Sequence, residues 1–122
     1  MPQRSPEAYL SDIVESCDAI ASAISGLTLS LYEANRLVRS SVEREFIIIG
    51  EAVGALSRVA PEIFASIPHA RRIVDFRNLL THEYQTVDDA VVWVIAERDA
   101  PRLREECNRF LCAIRLPLDS SL

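Results

Sequence analysis

A chain of 122 residues with 49% hydrophobic and 25% charged residues, three Gly and six Pro has material for one core, and its composition excludes collagen-like and disordered classes. A formal net charge of −5 and an isoelectric point near 5.0 exclude the broad positive surface of a protein that coats nucleic acid non-specifically, so any nucleic acid has to be gripped locally. Cys17, Cys107 and Cys112 are odd in number and form no Cys-x-x-Cys pair, which points away from a disulfide framework or zinc knuckle and towards three reduced thiols.

The first residues, Met1 to Pro6, carry no apolar stretch of the secretory type, and the longest strongly apolar run, Phe46 to Ile49, is far too short to span a bilayer. The expectation is a soluble cytoplasmic protein with no membrane partner, one domain over residues 1–122, and a loose tail from about residue 117.

Ser5 before Pro6 and Glu7 is a helix start: a hydroxyl to cap, a proline tolerated at the first position and an acid against the macrodipole. Leu10, Ile13, Cys17, Ile20 and Ile24 then recur at steps of three and four until Gly26, predicting a helix over about residues 6–25. Ser30 with Glu33 reads as a capping box that opens a second helical stretch, pausing near Asn35. Val38, Val42, Phe46, Ile49, Val53 and Leu56 hold one face until Pro61 ends the run. Gly50 and Gly54 inside it cost about 1 kcal/mol each relative to Ala, which implies close approach by another backbone.

After a short turn at Pro61 to Ala65, a helix is expected to start between Ser66 and His69, with Ile73, Phe76 and Leu80 inward and Arg77 aboard. Thr86 and Asp89 read as another capping box, for a helix with Val87, Ala90, Val91, Val94 and Ile95 apolar and Trp93 on the flank. Asp99-Ala100-Pro101 bends or restarts the chain into a last helix carrying Leu103, Cys107, Phe110, Leu111 and Ile114, closed by Pro117. No strand alternation exceeds four residues and no repeat of fixed period is visible. The fold class is therefore all-α, an antiparallel up-and-down helical bundle of four to six helices with one kinked arm.

Chemistry concentrates in Arg77-Asn78-Leu79-Leu80-Thr81-His82-Glu83-Tyr84, which sets a guanidinium, an amide, an imidazole and a phenol within eight residues. Arginine offers a planar fork for phosphate oxygens, and histidine titrates near neutrality, as phosphodiester chemistry requires. His69, Arg71, Arg72 and Arg77 form the nearest thing to a basic patch. On a continuous helix His82 would stand about 140° round from Arg77. A shared phosphate therefore predicts a helix end between Leu79 and His82, with His82-Glu83-Tyr84 extended so that His82 and Tyr84 face one way.

Ile49-Gly50-Glu51-Ala52, Arg77-Asn78 followed by His82 and Tyr84, and Val87-Asp88 leading to Val92-Trp93, with Pro101 and Leu103 beyond, make the chain resemble the HepT-like branch of the HEPN ribonuclease superfamily over nearly its whole length. It departs in having His69 after Pro68, where relatives often carry Trp. The resemblance implies a toxin of a toxin–antitoxin pair that cleaves RNA without a metal or other cofactor, through attack of the ribose 2′-hydroxyl on the adjacent phosphorus.

By that resemblance His82 transfers protons and Arg77 binds the phosphate and stabilises its growing charge. Asn78 orients a phosphate oxygen, holds the arginine or simply ends the helix. Because one imidazole cannot be base and acid at once, a homodimer joining two copies of the motif is expected. Tyr84 is implied as the residue to which a cognate nucleotidyltransferase antitoxin transfers AMP; a packing role is the alternative. Glu51 is a candidate to orient Arg77 or His82, and Arg72 a candidate on the substrate side. Cys17 and Cys107 read as core, and Asp88-Asp89 and Glu105-Glu106 as capping or solvated charges, with no metal-ligand spacing. Two other readings stay open: a non-enzymatic, antitoxin-like module that regulates a nucleotidyltransferase, and an accessory domain that holds a mononucleotide with Arg77 and Arg72.

Overall fold

The Ser5 hydroxyl accepts from the Ala8 amide and Pro6 occupies the first turn, so α1 (Pro6–Ile24) begins where its capping signal lies. This is a computed structural model that describes residues 4–116, apart from the side chain of Tyr84. Gly26, at φ 77°, supplies the left-handed turn past the end of α1, which a side chain would strain. Then come α2 (Leu29–Ala34), α3 (Arg36–Val59), α4 (Pro61–Ser66) and α5 (Ala70–His82), a 3₁₀ turn over Tyr84–Thr86, α6 (Asp89–Val94), a π turn over Ile95–Asp99 and α7 (Ala100–Arg115). With α6, the π turn and α7 joined into one rod, the described residues form six helices and no strand. None is long and apolar enough to cross a membrane.

Four long elements pack in the order α7, α1, α3, α5. Arg104 bonds Asp18 and Arg115 bonds Glu7, so α7 runs antiparallel to α1. Gly54 faces Val74 while Gly50 faces Arg77, so α5 runs antiparallel to α3. Leu10, Ile13, Cys17 and Ile20 of α1 meet Val42, Phe46, Ile49, Val53 and Leu56 of α3 in the core, as the three- and four-residue spacing requires. Phe46 and Phe76 meet edge to face at 5.3 Å, and Leu80 is buried beyond them. Burial pushes the Cys17 and Cys107 thiols up to about 12. At pH 8 a haloacetamide should therefore alkylate only exposed Cys112 in the folded protein and all three thiols after unfolding; mass spectrometry of the intact chain counts the adducts.

Several expectations are corrected. The cap of α2 is Thr28, whose hydroxyl accepts from the Leu31 amide, not Ser30, because the chain turns helical one residue before Ser30. The cap of α6 is Asp88, which accepts from Ala90; the Thr86 hydroxyl donates instead to the Glu83 carbonyl. Asn35 does mark the pause, capping α3 through its bond from the Val38 amide.

Pro101 causes no break. Its missing N–H and its ring are accommodated by widening, with the Ala100 amide bonded to the Ile95 carbonyl five residues back. Trp93 is not on the flank but buried, tilted against Tyr32 at 5.4 Å, and the outward residues of α6 are Val91 and Val94. Ile114 also faces outward. Pro117 and the expected tail lie outside the described residues.

Tyr32 is fully buried, yet its hydroxyl has no hydrogen-bond partner among the described residues. Burial, with Glu43 and Asp89 nearby, pushes its ionisation well above the usual phenol range. Tyr32→Phe removes an uncompensated polar group while keeping the ring against Trp93. It should raise the urea midpoint, by about 1 kcal/mol of stability, and a loss of similar size would show that the hydroxyl is satisfied in solution.

Candidate active site

The site starts at a glycine. A Cβ on Gly50 would lie 2.1 Å from the Arg77 Cβ and 2.6 Å from its Cγ, with the Ile73 carbonyl at 3.4 Å. Only a residue without a side chain lets α5 approach α3 this closely, and the element that approaches is the stem of Arg77 itself. The close approach expected at Gly50 is thus present, and a side chain rather than bare backbone fills most of it. Gly54 meets only Val74 Cγ2, at 3.9 Å, an ordinary contact.

Pinned at its stem, Arg77 runs across α3 and presents its guanidinium at the surface between two acceptors. Nη1 donates to Asn78 Oδ1 at 2.9 Å, and Nη2 donates to Glu51 Oε1 at 3.3 Å. Nε is buried and has no acceptor among the described residues. The side chains of Arg77 and Glu51 are 28% and 57% exposed, so the pair is screened by water and is better read as orientation than as a source of stability. Of the uses open to Asn78 and Glu51, the observed contacts are those that hold Arg77.

The expected helix break is absent. α5 continues through His82, the Thr81 hydroxyl bonds back to the Arg77 carbonyl at 2.8 Å, and the helix ends at Glu83 (φ −134°, ψ 37°), whose amide donates to Leu79. His82-Glu83-Tyr84 is therefore not an extended segment but a helix end running into the 3₁₀ turn. Thr81 fails to break the helix because its hydroxyl finds a carbonyl one turn back.

The Arg77 and His82 stems consequently stand about 140° apart and about 7.5 Å apart along the axis. Asn78 narrows this gap. It lies four residues before His82, on the same exposed face, where Cβ atoms are about 5–6 Å apart, and it draws one end of the guanidinium towards that face. His82 is exposed and lines a shallow depression with Glu83, Gln85 and Thr86.

The other candidates are not drawn in. Arg72 is exposed in the first turn of α5 and shares no hydrogen bond or ion pair with Glu51 or Asn78 among the described residues. Arg71 lies over the Phe64 ring at 5.5 Å, and exposed His69 precedes α5 in the left-handed region at φ 59°. The basic patch is thus spread along α5 rather than focused. Gln85 and the Glu83–Thr86 turn carried no signal in the sequence beyond a capping pattern. Among the described residues no three His, Cys, Asp or Glu side chains gather around a point where an ion would bind.

Residues 13–110 match the family described as "Ribonuclease HepT-like". The chain is 30% identical over 106 residues to "Putative RNase MJ1380" of Methanocaldococcus jannaschii, covering 87% of this chain and 96% of that protein. It is 29% identical over 122 residues, the whole of both chains, to "Putative RNase MJ1216" of the same organism. It is 28% identical over 102 residues to "Probable ribonuclease HepT" of Thermococcus cleftensis, covering 84% and 92% of the two chains. No solved structure matches the chain significantly.

Proposed function

The chain belongs to the HepT-like ribonuclease family, and from that premise we propose that it is an endoribonuclease toxin of a toxin–antitoxin pair that cuts RNA without a metal ion. One observation carries the reading: a half-buried guanidinium pinned by Gly50 and held at the surface by Glu51 and by Asn78, which itself stands one helical turn before an exposed imidazole. Arg77 meets the scissile phosphate and stabilises the charge that grows on its oxygens. The 2′-oxygen attacks phosphorus as one imidazole takes its proton, and a second imidazole protonates the departing 5′-oxygen. The products are a 2′,3′-cyclic phosphate and a 5′-hydroxyl.

The unbroken α5 places a requirement on this chemistry. Since the stems diverge within one chain and a single His82 cannot fill both proton roles, two copies must contribute, which a two-fold dimer provides. Val91 and Val94 on α6 are exposed apolar residues of the kind such a contact covers. Regulation follows by AMP transfer to Tyr84 from a nucleotidyltransferase antitoxin, because a phosphate-bearing group two residues from His82 would compete with substrate.

The test is cleavage of a labelled RNA in the presence of a chelator, with mapping of the product ends. Cyclic phosphate ends that disappear in His82→Ala support the proposal, and RNA left intact by the parent protein at micromolar concentration refutes it. Mass spectrometry after co-expression with a neighbouring nucleotidyltransferase reads AMP on Tyr84. The divergence of Arg77 and His82 on one helix favours one competitor, a non-enzymatic partner that regulates the nucleotidyltransferase. That reading requires expression of the chain alone to leave growth unchanged, where the toxin arrests it.

A further inference from the structure

The surface beside His82 has a hydrogen-bonding polarity of its own. The depression is lined by His82, Glu83, Gln85 and Thr86, so a nucleotide whose phosphate meets His82 has these residues within reach of its base. The turn that shapes it is tied down: the Glu83 carbonyl accepts from both the Thr86 amide and the Thr86 hydroxyl, each at 2.9 Å. That bond uses the only hydrogen of the Thr86 hydroxyl, leaving its oxygen solely an acceptor for any ligand.

Glu83 is exposed, and its carboxylate forms no ion pair or hydrogen bond among the described residues, so it too only accepts. Gln85 is exposed and can both donate and accept. The lining beside the imidazole is therefore rich in acceptors, and its one anion has no partner among the described residues.

From this we infer that the depression is a nucleobase subsite that reads the base next to the scissile phosphate and prefers guanine, with Glu83 as the reading residue. Guanine is the one RNA base whose Watson–Crick edge offers two adjacent donors, N1–H and N2–H, which match the two oxygens of a carboxylate as a fork matches a fork. Adenine and cytosine each present one amino group beside a ring acceptor and can form a single bond to Glu83. Uracil flanks its N3–H with two carbonyl oxygens that the carboxylate repels. The order of preference is guanine, then adenine and cytosine, then uracil. Gln85, which lines the same depression, can donate to the O6 acceptor of that base. The inference rests on His82 being the residue that faces the phosphate.

Binding of the four nucleoside 3′,5′-bisphosphates to the full-length chain, followed by NMR or calorimetry, tests it apart from turnover. These probes place a phosphate on either side of the base, so the side on which cleavage falls does not matter. The guanosine compound should bind about tenfold or more tightly than the uridine compound. Glu83→Gln, which trades one acceptor oxygen for a donor, should level that ratio while the folded far-UV spectrum persists.

A ratio near one in the parent protein overturns the subsite, as does a guanine preference that survives Glu83→Gln. Absence of binding by any of the four also overturns it. RNA cleavage that is absent while the guanine preference holds would instead count against the nuclease reading, so the two failures are told apart.

Discussion

Gly50→Ala is expected to destabilise the protein by about 1–3 kcal/mol, the usual cost of forcing a methyl group into a filled interface. The new Cβ would sit 2.1 Å from the Cβ of Arg77, and neither atom is the free end of a side chain that can swing aside. α3 and α5 must separate, which loosens the Phe46–Phe76 contact and moves the guanidinium away from Glu51. Gly54→Ala, one turn along the same helix, is the control: its Cβ meets only a methyl of Val74 at 3.9 Å, and the gain in helix propensity stabilises by about 0.5–1 kcal/mol. Urea midpoints of the two variants should move in opposite directions. A Gly50→Ala protein as stable as the parent would mean that α3 and α5 do not approach this closely in solution. RNA cleavage should fall with Gly50→Ala and hold with Gly54→Ala, because only the first disturbs the stem of Arg77.

The pair of glycines also shows what a sequence discloses and what it withholds. Two glycines four apart in an otherwise regular apolar helix announce a close neighbour, but nothing local says which glycine is obligatory, or that the neighbour is Arg77, 27 positions further on. The stripes of α1 and α3 were legible because a helix that buries one face must repeat every three to four residues. Trp93 was misplaced because its burial depends on Tyr32, and α2 is too short to show its facing by periodicity. Pro101 was legible as a disturbance but not as a π turn. Whether a chain breaks or widens at proline depends on whether packing holds the rod together, and here the π turn lies against α1.

Around the site, residue types were legible and their geometry less so. Arg77, Asn78 and His82 stand out by chemistry alone, and Glu51 by being a carboxylate on an apolar helix. The contact between Glu51 and Arg77 bridges 26 positions, so only the packing of α3 on α5 reveals it. The helix end expected between Leu79 and His82 does not form, and the Thr81 hydroxyl, which could have capped a new element, bonds back to the Arg77 carbonyl instead. That choice keeps α5 intact to His82 and leaves the stems of Arg77 and His82 about 140° apart on one helix.

His82→Ala should lower the rate of RNA cleavage by about 10²–10⁴, the range lost when a positioned proton-transfer group is removed. The residue is exposed at the end of α5, so stability should change by no more than about 0.5 kcal/mol, and the loss cannot be put down to unfolding. Arg77→Lys is the more searching variant. It retains the charge, yet one ammonium cannot reproduce two separate nitrogens bonded to Asn78 Oδ1 and Glu51 Oε1, nor the planar fork that meets two phosphate oxygens. If Arg77 serves only to attract RNA, Lys should raise KM and leave kcat almost untouched. If it stabilises charge on the phosphate as the 2′-oxygen attacks, kcat should fall by about 10²–10³. The second outcome is expected, because Gly50, Asn78 and Glu51 together fix where the guanidinium points, and mere attraction of an anion needs no such fixing. Parent-like kcat in Arg77→Lys, or a parent-like rate in His82→Ala, would remove these two residues from the chemistry.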